Sequence, residues 1–213
     1  MSGIGLSGAH GSGKTTLAKA YAENTGIVFV PSEASSVIVG CGHNPALDYN
    51  FSDRLYLQKK ILARAIISYE GTAGGDFITD RTPLDFLAYL MSDVGRNNVI
   101  GEETSEFLDY QRQCYEVLNM YFNVVVVVQP GINLVERDDK GSNNIAYMEH
   151  FNTLVVGLSV SSELNIQNTF IPRTCLNIDT RVQAVKESVK IAFNSFERVA
   201  ARKGATIFSK SRH

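Results

Sequence analysis

Near the start of the chain, Gly8-Ala9-His10-Gly11-Ser12-Gly13-Lys14-Thr15 combines small residues, a lysine and a hydroxyl in the spacing G-x-x-x-x-G-K-[ST]. That spacing suits a polyphosphate. Glycines let the backbone curl until several N–H groups point inward. Lys14 reaches the β- and γ-phosphates, and the Thr15 hydroxyl is placed to ligate Mg²⁺. Thr16 continues into an expected helix over residues 14–24, whose positive end faces the same anion. A Gly-rich turn with a stray lysine is the bland alternative. The strand–loop–helix context, with Ile4 and Leu6 alternating with small residues, argues against it. The overlapping Gly3-Ile4-Gly5-Leu6-Ser7-Gly8 formally matches the dinucleotide fingerprint G-x-G-x-x-G. Only Met1 and Ser2 precede it, so its middle is read as the strand itself and the match is set aside.

Three further groups are candidates for chemistry. Asp80, after an apolar stretch, suits a carboxylate that organises Mg²⁺ or accepts a proton, with helix capping as the competing role. Arg81 suits an acceptor phosphate or the transferring group, against an ordinary salt bridge. Glu33 is a second carboxylate. A hydroxyl acceptor calls for a general base, either Glu33 or Asp80; a phosphate acceptor needs none, and Glu33 would then bind a sugar hydroxyl or cap a turn with Ser35. Arg137, with Lys140, lies in a polar run that either closes over ATP as an internal arginine finger or is a solvated charge run. Arg54, Gln58 and Arg64 either line an acceptor pocket or form a solvated helix face. His10 reads as structural, and the histidines show no metal-ligand spacing.

The elements that must position these residues follow from periodicity and breakers. Strands are expected at residues 27–30 (halted by Pro31), 77–79, 124–128 and 170–178. Helices are expected at residues 53–69 with Ser52 as cap, at about 82–92 with Thr82 as cap and Pro83 in the first turn, and at 102–121, 145–161 and 180–203. Residues 40–45 read as loop, and the tail from 204 as fraying. Strands alternating with helices imply an α/β fold, a parallel sheet wrapped on both faces in three α/β/α layers. Ligands of such sheets bind at the carboxyl ends of the strands, where the phosphate loop, Glu33 and Asp80-Arg81 would converge.

The chain has 213 residues, which suits one domain, with a lid-like segment around 131–145. Its net charge of −2 provides no global field for nucleic acid. No basic-then-apolar leader is apparent, and the run Val124–Val128 is far too short to span a bilayer. The 3 cysteines, Cys41, Cys114 and Cys175, read as reduced thiols. A cytoplasmic protein is expected, in the host cytoplasm if phage-encoded, and an oligomer is allowed. The base-reading N-K-x-D of GTPases is absent. Asp138-Asp139-Lys140-Gly141 formally resembles a D-x-x-G switch but does not directly follow a strand. A hexameric ATPase calls for an additional lid domain, for which little chain remains.

At Gly8–Thr16, Asp80-Arg81 and Arg137-Asp138-Asp139 the chain resembles the P-loop nucleoside and nucleotide kinases. The phage-type deoxynucleotide kinases and the ribosylnicotinamide-kinase-like group are the nearest in pattern. The resemblance implies sheet order 2-3-1-4-5, ATP and Mg²⁺ as cofactors, and a nucleoside or nucleotide acceptor. It further implies an acid–Arg pair in Asp80-Arg81, a lid beginning at Arg137, and adenine near Asp179-Thr180. The chain departs from the family in having one lid arginine and in following Arg81 with Thr82-Pro83 rather than the aromatic of thymidylate kinases. A related phage group phosphorylates 5-hydroxymethyluracil in DNA, making DNA with a modified base a second acceptor class. An ATP-binding switch is the non-enzyme alternative.

Overall fold

The alternation of side chains along one strand explains the layering. In β4 (Phe122–Val128), Val125 and Val127 face one hydrophobic cluster while Val124, Val126 and Val128 face another. A strand buried on both faces has no polar alternation to show, hence the unbroken valine run. The computed structural model describes residues 2–44, 49–94, 97–132 and 145–210, with side chains through residue 195.

Five parallel strands stand in the order β2-β3-β1-β4-β5. They are β1 (Gly3–Ser7), β2 (Val28–Val30), β3 (Phe77–Thr79), β4 and β5 (Gln167–Ile171). On one face pack α3 (Phe51–Glu70), α4 (Pro83–Val94), α5 (Glu102–Tyr121) and α6 (Ile145–Ser159); on the other, α1 (Lys14–Thr25) and α7 (Ile178–Lys210). This is the expected three-layer arrangement and strand order.

Gly3 and Gly5, two glycines of the discarded dinucleotide match, have a packing role instead. β1 begins at Gly3, and a Cβ there would lie 2.8 Å from the Phe77 ring. One at Gly5 would strike Thr82 and lie 3.1 Å from the Phe122 ring. Their absence admits an aromatic cluster in which Tyr69 stacks on Phe77 at 5.1 Å and Phe122 meets Phe77 edge-on at 5.6 Å.

Several expected boundaries move. β5 ends at Ile171 because Pro172 has no N–H for the ladder, so the strand expected at 170–178 lies earlier, in a polar edge segment. α7 starts at Ile178 rather than 180, with Asn177 Oδ1 accepting the Thr180 N–H at 3.0 Å, and runs through residue 204 to Lys210. The long helix is capped by Asn50, whose Oδ1 accepts the Asp53 N–H at 2.8 Å, not by Ser52. Between β2 and α3 the chain adds α2 (Ala34–Gly40), with Ile38 buried against the core. Its Val-Ile-Val run has poor helix propensity, so packing rather than propensity makes this turn. Among the described residues the three cysteines are free thiols, and no helix is long and apolar enough to cross a membrane.

Candidate functional site

The phosphate loop leaves β1 in a backbone that only glycine adopts cheaply. Gly8, Gly11 and Gly13 have φ of 141°, 75° and 86°. A Cβ on Gly8 would strike the Val128 carbonyl. Gly13 caps α1 through its backbone alone, with no side chain covering the first-turn N–H groups. Those groups remain available to an anion. Thr15, Thr16 and Gly11 are exposed and His10 half-buried, whereas Ala9 and Ser12 are buried.

Lys14 is buried and turned onto its own loop. Its Nζ donates to Gly8 O at 2.6 Å and Ala9 O at 2.8 Å. Burial pulls its pKa down to about 8; Asp85 and Asp80 oppose that shift, and Arg81 adds to it. The ammonium is thus held where a phosphate oxygen would take over from the two carbonyls.

Asp80 unites the three strand-end positions. One oxygen accepts the Thr15 hydroxyl at 2.6 Å, and the other accepts the Ser32 N–H at 2.9 Å. Helix capping falls to Thr82 instead, whose Oγ1 accepts the Leu84 N–H at 3.2 Å. Among the described residues no group of three or more His, Cys, Asp or Glu could hold a metal alone. A hydroxyl paired with a carboxylate beside a phosphate loop nevertheless fits Mg²⁺, which takes few protein oxygens and fills its shell with phosphates and water.

Next to Asp80 is a shallow hollow between β2, α3 and α4. Glu33, Arg64 and Arg81 line it together with Ile61, Ala65 and Phe86. Glu33 begins α2 but makes no side-chain cap bond. Its carboxylate instead accepts Arg64 Nε at 3.0 Å and Ser68 Oγ at 3.2 Å. Arg81 donates to the Tyr89 hydroxyl at 2.9 Å, its guanidinium 5.3 Å from that ring. Of the three long-helix candidates, Arg64 faces the hollow. Arg54 is paired with Asp93 on α4 at 2.7 Å, and Gln58 is buried with its backbone carbonyl accepting the Tyr110 hydroxyl on α5. Asp179 is exposed in the first turn of α7. Arg137 and Lys140 lie outside the described residues.

Two charged residues belong to this site that the sequence does not assign to it; of these, Asp85 reads from sequence only as a first-turn acid of the helix after Thr82. Asp85 is 1% exposed; its Oδ1 accepts the Gly8 N–H at 3.0 Å and its Oδ2 the Thr82 N–H at 3.0 Å. The spacing Thr82-Pro83-Leu84-Asp85 is a capping-box signature and announces the second bond, but not the first. Arg181, also 1% exposed, donates through Nη1 to Ser12 O at 2.8 Å. Nothing in its sequence surroundings marks it. Buried charges of opposite sign thus hold the two ends of the phosphate loop.

A family model described as an AAA domain matches residues 4–158. No curated protein matches the chain. Among solved structures, deoxyadenosine kinase from M. mycoides with dCMP and dCDP bound has a TM-score of 0.63 at 16% identity, covering 88% of this chain and 98% of that one. Thymidylate kinase from Ehrlichia chaffeensis has a TM-score of 0.57 at 15% identity, covering 88% and 98%. NadR protein in complex with NAD and AMP-PNP has a TM-score of 0.56 at 11% identity, covering 88% of this chain and 48% of that one. At these identities the likeness shows a shared fold.

Proposed function

This chain belongs to the AAA domain family, and from the site it builds on that fold we propose an ATP- and Mg²⁺-dependent kinase. It transfers the γ-phosphate of ATP to a nucleoside or nucleotide. One observation carries the reading: Asp80 joins the Thr15 hydroxyl to the strand end that also bears Arg81, directly beside the hollow holding Glu33. The names of the structural neighbours, deoxyadenosine and thymidylate kinases, support the acceptor class.

The residues divide the work. Lys14 exchanges the Gly8 and Ala9 carbonyls for β- and γ-phosphate oxygens, joined by the free N–H groups of α1. Thr15 and Asp80 would hold Mg²⁺, which supplies charge neutralisation on the transferring group. The base lies against the loop at residues 172–177, beside Asp179. The bond between the γ-phosphorus and its bridging oxygen breaks, a bond to the acceptor oxygen forms, and ADP leaves. A hydroxyl acceptor gives its proton to Glu33 or Asp80; a phosphate acceptor is already ionised, and Glu33 then holds a sugar hydroxyl. Arg81, its guanidinium fixed by Tyr89, grips the acceptor phosphate or the transferring group.

The test is ATP consumption against a panel of nucleosides, deoxynucleotides and DNA containing 5-hydroxymethyluracil. Stimulation by a free nucleoside or nucleotide is expected. Stimulation by DNA alone reassigns the acceptor. ATP binding without stimulation by any acceptor overturns the kinase reading.

A further inference from the structure

Arg181 leads the fully buried side chains of the described residues in volume, and the transfer derived above makes no use of it. A buried guanidinium normally faces a carboxylate. This one is held by two backbone carbonyls from distant parts of the chain. Nε donates to Cys175 O at 2.6 Å, in the loop between β5 and α7, and Nη1 donates to Ser12 O at 2.8 Å, in the phosphate loop. Gly13 packs directly on it, since a Cβ there would lie 3.0 Å from Nη1 and 2.9 Å from Ile132 Cδ1. The backbone of Arg173 presses in turn on Gly131. Loops from the ends of β1 and β5 therefore close on one side chain, with the loop after β4 packed beside them at Gly13 and Arg173. Nη2 and the Ser12 hydroxyl are both buried without a hydrogen-bond partner, so the contact keeps polar capacity in reserve for a loop that adjusts.

We propose that Arg181 is a positioning residue that couples the two ends of a nucleoside triphosphate, tying the loop at residues 172–177 to the loop that takes the phosphates. The proposal rests on the donor reading given above, in which the base lies against residues 172–177. The planar fork of arginine can serve two divergent carbonyls, whereas lysine, a point charge, cannot hold both in one geometry. With the strut intact, ordering the phosphate loop orders the base loop, and each end of the ligand binds more tightly for the presence of the other. Such coupling is reciprocal and typically amounts to about 5–150-fold in affinity.

The experiment compares ATP with inorganic tripolyphosphate, the same phosphates without a base, by calorimetry on wild type and Arg181→Lys. Wild type is expected to prefer ATP. In Arg181→Lys, ATP affinity is expected to fall about tenfold or more while tripolyphosphate falls less than about threefold, collapsing the preference. Equal loss for both ligands, the mark of a residue that only supports the fold, overturns the proposal; so does an unchanged preference. A wild type with no preference for ATP overturns the donor reading and the coupling with it, and is thereby told apart from failure of the strut alone. Hydrogen exchange on wild type serves if the variant does not fold. Tripolyphosphate should slow exchange at residues 172–177 although no base is present, and unaltered exchange there contradicts the coupling.

Discussion

The two halves of the proposed site, donor and acceptor, use the same charged residue types, and the pair that most distinguishes the acceptor side lies in a different environment. Around the phosphate loop, Lys14, Asp80, Asp85 and Arg181 are 7%, 8%, 1% and 1% exposed. Their partners are largely backbone groups, at distances from 2.6 to 3.0 Å. Around the acceptor hollow, the Glu33 and Arg64 side chains are 36% and 46% exposed and hold each other. Charges out of water act strongly and are placed in advance; charges in water act weakly and adjust cheaply. On the proposed reading the donor half is therefore prepared for one ligand chemistry, while in the acceptor half Arg81 is fixed by Tyr89 and the Glu33–Arg64 pair is free to rearrange around an entering acceptor.

Substitutions on the two sides should differ in size. The largest effect is expected from Lys14→Ala, which should lower kcat/KM for ATP by about 10³-fold, as for loss of a dedicated charge donor in a dry site. A loss under tenfold in steady-state kinetics would remove the basis for treating the donor half as preorganised.

Asp85→Asn comes next. One amide oxygen can replace one carboxylate oxygen, but the NH₂ then opposes either the Gly8 or the Thr82 N–H. A buried donor facing a donor costs about 1–3 kcal/mol, or a drop in Tm of several degrees. The ATP KM should rise with it. Thermal melting with unchanged Tm would show that Asp85 is only a helix cap.

Acidity sharpens the contrast. With its pKa brought down to about 8, Lys14 in the empty loop loses its proton as pH climbs past 8. ATP affinity should weaken above that pH, approaching tenfold per unit. Stability of the empty protein runs the other way. Its folded pKa lies below the ordinary 10.5, so the unfolded chain holds more proton between about 8 and 10.5, and this group's contribution grows as pH rises through that window. Calorimetric titrations at pH 7 and 9 that give equal ATP affinity would contradict the buried ammonium.

The smallest effect belongs to the acceptor half. Arg64→Ala should raise the acceptor KM about fivefold, the scale of an exposed ion pair, and leave ATP affinity unchanged. A larger effect on ATP than on acceptor would erase the division between the halves.

The sequence was most legible where chemistry is local. The phosphate loop, Asp80 at a strand end and Thr82 as a helix cap each depend on neighbours a few positions away, and the structure places them accordingly. Strand order followed from resemblance. What escaped was contact over long separations. Asp85 reaches Gly8 across 77 positions and Arg181 reaches Ser12 across 169, and no spacing rule encodes either. Arg54 and Gln58 share the long helix with Arg64, yet only neighbouring helices decide which of them faces the hollow. β5 hides from sequence because it is an edge strand of Gln167, Asn168 and Thr169, without the apolar signal of a buried one.

In the proposed kinase, Asp80 turns a phosphate cradle into a transfer site. The most direct test of that role is label transfer from γ-labelled ATP to the best acceptor of the panel, comparing wild type with Asp80→Asn at saturating ATP. Wild type should transfer the label and the variant should lose about 10²-fold or more, with ATP affinity held within a few-fold. Transfer by Asp80→Asn at the wild-type rate would contradict that role.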